Sequence, residues 1–147
     1  MKDLLLEVLS HYGLSEVSGR QSNPEILEFF YELDYDWVND DSAISWCSAM
    51  LSYYAKKCGY EYHKQLNARG WLKMPIVVLK PELGDVVILW RNDPNSWEGH
   101  VGLFVNWTPT KVYLAGGNQS NQINITAYPR DRIIGIRRLK KTENGTI

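Results

Sequence analysis

The chain has 147 residues, 44% of them hydrophobic and 22% charged, with a formal net charge of −1. That length suits one domain, 1–147, built on a single core, and the near-neutral charge excludes the strongly basic footprint by which proteins grip nucleic acid or anionic membranes. No apolar run approaches the roughly 20 residues of a membrane-spanning helix, so no membrane span is expected.

The first nine residues, Met1-Lys2-Asp3-Leu4-Leu5-Leu6-Glu7-Val8-Leu9, have the basic start and apolar middle of a short export signal. Asp3 and Glu7 interrupt that pattern, and no small-residue cleavage site follows. The segment reads instead as an amphipathic helix over 2–12, ending near Gly13, with a polar loop over 15–22. Asn23-Pro24-Glu25 is a helix start: a capping amide, a proline at the first helical position and an acid in the first turn. Ile26, Leu27, Phe29, Phe30 and Leu33 supply its apolar face, and an acidic stretch over 34–41 leads on to the next element.

From Trp46 to Lys57 the apolar residues Trp46, Ala49, Met50, Tyr53 and Tyr54 fall at helical spacing. Lys56 and Lys57 suit the last turn and Gly59 the C-cap. Cys47 therefore stands in the first turn, where unpaired N–H groups and the helix dipole favour a thiolate, and Cys58 stands at the opposite end, where the dipole disfavours one. Eleven positions of helix separate them by about 16 Å, and a disulfide needs Cα atoms within about 7 Å. Both thiols are expected to be free.

A short helix is expected over 63–72, and Pro75 and Pro81 frame a loop or edge segment. Beyond Gly84 the pattern turns to β, over 85–90, 100–107, 111–115, 122–127 and 133–139, with turn residues between. Helices followed by consecutive strands predict an α+β fold, with N-terminal helices packed on an antiparallel sheet of about five strands. Residues 1–34 form an N-terminal helical segment, 35–140 the core, and the tail from 141 frays.

A thiol at a helix start and His100 at a strand start are a nucleophile and a base on separate elements, the arrangement of papain-like hydrolases. The hairpin through Thr108-Pro109-Thr110 tests which side chain orients the imidazole. A three-residue loop puts Trp107 opposite Lys111, and counting outward puts His100 opposite Asn118 on the same face. A two-residue loop puts Gly117 there instead. The first register delivers a side-chain amide to one ring nitrogen and leaves the other for Cys47.

Each residue also has a plain structural reading: free cysteines are commonly buried, and an Asn after two glycines is commonly a turn residue. The three positions together point to chemistry. His11 and His63 fall at exposed helical positions without a role. Asp85, after Gly84, reads as a turn-fixing acid, with an alternative role in orienting His100. Asp40 and Asp41 support the helix start, with substrate binding as the alternative role. Trp46, Trp97 and Gln119 are the candidate substrate-binding residues, Trp46 being equally well explained as core. With three His and no H-x-x-x-H pair there is little to hold a catalytic zinc. No Gly-rich loop opens a helix to cradle phosphate. No cofactor is expected.

Five motifs in order carry a resemblance: Trp46-Cys47-Ser48-Ala49-Met50, Asn67-Ala68-Arg69-Gly70-Trp71-Leu72, Pro81-Glu82-Leu83-Gly84-Asp85-Val86-Val87, Gly99-His100-Val101-Gly102-Leu103-Phe104 and Gly116-Gly117-Asn118-Gln119-Ser120-Asn121. Over about residues 35–138 the chain resembles CHAP/NlpC-like cysteine amidohydrolases, in particular a small phage- and prophage-associated branch. The resemblance implies a papain-like fold and cleavage of an amide bond in the peptidoglycan stem peptide, by a muramoyl–alanine amidase or a peptide endopeptidase. It matches Cys47 to the nucleophile and His100 to the base. Many CHAP enzymes place an acid two residues before the retained Asn, where this chain has Gly116, so the orienting role goes to Asn118.

Two alternatives keep the fold: a thiol-dependent transferase or deamidase acting on a protein, and a non-catalytic wall-binding module. The N-terminal reading, with no signal peptide, leads to the expectation of a monomer made in the cytoplasm. It would act on the cell wall after delivery by lysis, a holin or a secretion apparatus, with an immunity protein as a further partner.

Overall fold

A computed structural model describes residues 1–16, 23–33, 46–63 and 66–142. The acidic approach to the cysteine, with Asp40 and Asp41, lies outside them, as do most of the 15–22 loop and the tail from 143.

Helix α1 covers Lys2–Leu9. Single turns continue it to Gly13, whose φ of 91° ends it and whose N–H donates to Ile123 O at 2.7 Å. Helix α2 covers Pro24–Tyr31 and starts as the sequence indicates, the Asn23 side chain accepting from the Glu25 N–H at 2.9 Å. Helix α3, Cys47–Lys57, closes at Cys58, with Gly59 in the left-handed conformation at φ 79°. The expected helix over 63–72 is instead a 3-10 segment, Ala68–Lys73. Asn67 before it is extended (ψ 132°), which breaks helical continuity. The His63 imidazole fills the space where a side chain on Gly70 would sit.

The strands are β1 (Ile76–Val77), β2 (Val86–Trp90), β3 (Gly99–Trp107), β4 (Lys111–Gln119), β5 (Gln122–Pro129) and β6 (Ile133–Arg138). They form one antiparallel sheet in the order β1-β6-β2-β3-β4-β5, six strands rather than about five. The added strand is β1, two residues paired with Arg138 and Arg137 on the sheet edge. So short a segment has no alternation to read, and the prolines around it mask its pairing.

Both faces of the sheet are covered. Val86, Ile88, Val101, Leu103 and Ala115 pack with the helices, while Val87, Leu89, Phe104, Val112, Leu114 and Ile136 form a second cluster. Successive residues of β2 thus enter different cores, which is why 86–89 is an unbroken apolar run. Asp85, 1% exposed, accepts the Glu82 N–H at 2.7 Å and holds Arg138 through both carboxylate oxygens at 2.9 and 2.7 Å. It fixes the turn into β2 and ties it to β6.

Candidate active site

Cys47 is the first residue of α3, and its N-cap, Trp46, supplies no side-chain cap. The 3-10 segment braces this turn, with Trp71 Nε1 donating to Ser48 Oγ at 2.9 Å in the core. The Cys47 side chain is 3% exposed, at the floor of a cavity of about 100 Å³ that Trp97, Arg91 and Ala68 also line. His100, the second residue of β3, pairs with Leu89 on β2 and is itself buried. The imidazole is a hydrogen-bond partner of Cys47. Cys47 and His100 meet, as their positions in the sequence indicate.

The amide on the far side of the imidazole belongs to Gln119, not Asn118: Gln119 Oε1 lies 3.0 Å from His100 Nε2. The hairpin count fails through bulges in β4 and β3. Trp107 faces Val112 rather than Lys111, and a bulge between Phe104 and Asn106 brings the inner half, Leu103 opposite Ala115, back to the counted register. A second bulge, between Gly116 and Gln119, shifts the pairing with β5 by one residue, with Asn118 at φ 58°. One extra residue reverses the facing of everything beyond it. Gln119 therefore takes the face an unbroken strand would give Asn118, and its Oε1 lies over Gly116.

The network also sets the tautomer. Gln119 Nε2 donates towards Leu114 O (3.1 Å), Asn124 O (2.9 Å) and Asn124 Oδ1 (3.0 Å), three acceptors that fix the amide with its oxygen towards the histidine. Asn124 Nδ2 returns a bond to Gln119 O at 2.9 Å, and Thr126 Oγ1 donates to Asn124 Oδ1 at 2.7 Å. An oxygen facing Nε2 requires the proton on Nε2. In the neutral ring this leaves Nδ1 bare as the acceptor for the thiol proton. The Tyr128 hydroxyl, 3.1 Å from the same Nε2, closes the site on the β5 side.

Burial presses the His100 pKa down. The charge of Cys47 and the hydrogen bonds to Cys47 and Gln119 outweigh it against a small opposing push from Arg91, so the net direction is upward. Burial, reinforced by the Cys47 charge, raises the Tyr128 hydroxyl and keeps it protonated. An electropositive helix start and an imidazole held to take a proton together favour a thiolate–imidazolium pair.

The other candidates separate by burial. Trp46 is fully buried, donates from Nε1 to Glu16 Oε2 at 2.9 Å and packs where a side chain on Gly117 would clash. It is core and offers a substrate no surface. Trp97 is 78% exposed at the rim above Cys47. Its loop is clamped by Arg69, whose guanidinium donates to the carbonyls of Glu98 (2.6 Å), Pro94 (3.1 Å) and Asp93 (3.0 Å). Gln119 serves the histidine from a buried position. Asn118 lines the neighbouring cavity with His100 and Tyr128. Asp85 is committed to Arg138, His11 stacks on Tyr54, and His63 contacts Asn67 and Trp71. Both cysteines are free. No three His, Cys, Asp or Glu side chains gather to hold a metal among the described residues.

Sequence reasoning did not anticipate Tyr128, 28 positions from His100 and beside it only through the β4–β5 pairing, nor the contact made by Gln119. The available signal for the latter was Gly116-Gly117-Asn118, a run that tolerates the left-handed conformation a bulge needs. No protein-family model matches the chain, and no curated protein matches it.

Proposed function

We propose that this protein is a cysteine amidohydrolase of papain-like type that cleaves an amide bond in the peptidoglycan stem peptide. The observation that carries the chemistry is one chain of contacts: Cys47 at a helix start, bonded to His100, whose opposite nitrogen is held by an amide that is itself fixed. The peptidoglycan substrate rests on the resemblance of the five motifs.

In this reading His100 Nδ1 takes the Cys47 thiol proton, and the thiolate attacks the amide carbonyl carbon. Backbone N–H groups in the first turn of α3, that of Cys47 among them, stabilise the oxyanion. The tetrahedral intermediate collapses as the imidazolium gives its proton to the departing nitrogen, leaving a thioester on Cys47. His100 then deprotonates a water, the hydroxide attacks the thioester carbonyl, and the C–S bond breaks to free the carboxylic acid product and the thiolate. Gln119 keeps the ring in the productive tautomer throughout.

The test is digestion of purified peptidoglycan by wild-type and Cys47→Ala protein, with soluble fragments identified by mass spectrometry. Fragments released only by the wild type support the reading, and their new termini name the bond. A folded wild-type protein that releases nothing from several wall chemotypes rejects it and favours the wall-binding module, checked by sedimentation with intact sacculi.

A further inference from the structure

Six arginines lie among the described residues, and four are occupied in holding the fold. Arg69 clamps the Trp97 loop, Arg137 donates to Leu72 O and Ile136 O, Arg138 grips Asp85, and Arg130 donates to Thr108 O while lying 3.3 Å over the Trp107 ring. The two others differ. Arg132 spends only Nε, on Trp90 O at 3.0 Å, and lies 5.5 Å over both the Trp90 and Tyr128 rings. Among the described residues nothing takes its terminal nitrogens, or any nitrogen of the exposed Arg91 guanidinium, in a hydrogen bond or ion pair.

These two arginines line one cavity, of about 340 Å³, beside His100. Hydroxyl and amide side chains from Ser120, Thr126 and Asn118 complete its wall, and no carboxylate lines it among the described residues. Arg91 also lines the cavity that holds Cys47 and Trp97. It therefore borders both cavities, one lined by Cys47 and the other by His100 and Arg132. Two guanidinium forks with the Ser120 hydroxyl beside them match the planar oxygens of a carboxylate, which neutral peptide groups do not offer.

We infer that Arg91 and Arg132 form a carboxylate-binding subsite beside the catalytic pair, so that the preferred substrate carries a free carboxylate within a few bonds of the scissile amide. This deepens the hydrolase reading and rests on it for the identity of the bond, while its binding test does not require turnover. The fold of the 91–98 loop does not depend on the Arg91 side chain, because Arg69 holds it, so Arg91 variants report on binding.

The experiment is a tryptophan-fluorescence titration of the full-length Cys47→Ala protein at low ionic strength. The probes are two synthetic stem peptides that differ only in whether a single carboxyl group adjoining one of their amide bonds is free or amidated. The free acid is expected to bind about tenfold tighter or more. The ratio should fall below about threefold when Arg91→Gln or Arg132→Gln is added, and Arg91→Lys should restore part of it. Equal affinities in the parent protein, absence of binding by both peptides, or a preference that survives both glutamine variants overturns the subsite. Failure of hydrolysis reads out separately: a wild-type protein that binds the acid selectively but leaves every peptide intact keeps the subsite and rejects the hydrolase.

Discussion

The two ends of α3 carry the same functional group in opposite surroundings. At the N-terminal end Cys47 meets the helix start and His100. At the C-terminal end Cys58 sits half-buried, its thiol pushed up by burial and then by the nearby carboxylates of Asp3 and Glu7. The helix dipole favours a thiolate at the first site and opposes one at the second. Accessibility alone would rank them the other way, since Cys47 is the more buried. The two thiols differ in charge environment and not only in burial.

The contrast is broken most severely by removing one end of the pair. Cys47→Ala and His100→Ala should each lower fragment release by about 10⁴-fold or more, with circular dichroism unchanged, while Cys58→Ala stays within about twofold of wild type. Equal losses at both cysteines would erase the distinction. The next effect belongs to the amide. Gln119→Ala frees the ring to turn and should cost about 10²-fold in kcat, whereas Asn118→Ala should cost less than about tenfold. The reverse order would return the orienting role to Asn118.

Alkylation gives a smaller and more direct reading. With iodoacetamide near pH 6.5, peptide mapping should find Cys47 modified about tenfold or more faster than Cys58, despite its deeper burial. Faster labelling of Cys58 would mean that exposure governs. The last effect is a titration. The net upward shift of His100 depends on Cys47, while burial acts in the opposite sense. The imidazole pKa followed by NMR should therefore move down in Cys47→Ala, and no movement would mean that no thiolate faces the ring.

Most of the fold is legible in the chain. β-type apolar segments separated by turn residues place five of the six strands, and Asn23-Pro24-Glu25 places α2. The failures are local. β1 is too short to have a period, and in place of the helix expected over 63–72 the chain has a 3-10 segment, Ala68–Lys73, behind an extended Asn67. In the site, the cysteine and histidine were readable because a helix start and a strand start leave marks in their own neighbourhoods. The third member was readable only as an amide near the end of β4. A count along a strand assumes an unbroken strand, and β4 is broken by the bulge at Gly116–Gln119.

The sequence by itself determined that Cys47 stands at a helix start and His100 at a strand start, that the two thiols are inequivalent, and that helices pack on an antiparallel sheet. These follow from capping, dipole and periodicity, which act over a few neighbouring residues. Only the tertiary structure decided that Gln119 rather than Asn118 meets His100, that Tyr128 joins it, that Trp46 is core while Trp97 faces the cleft, and that Arg91 and Arg132 share a cavity. Each depends on register and packing between segments distant in sequence. A single inserted residue in a strand reverses which side chain points where, and local pattern has no way to record that reversal.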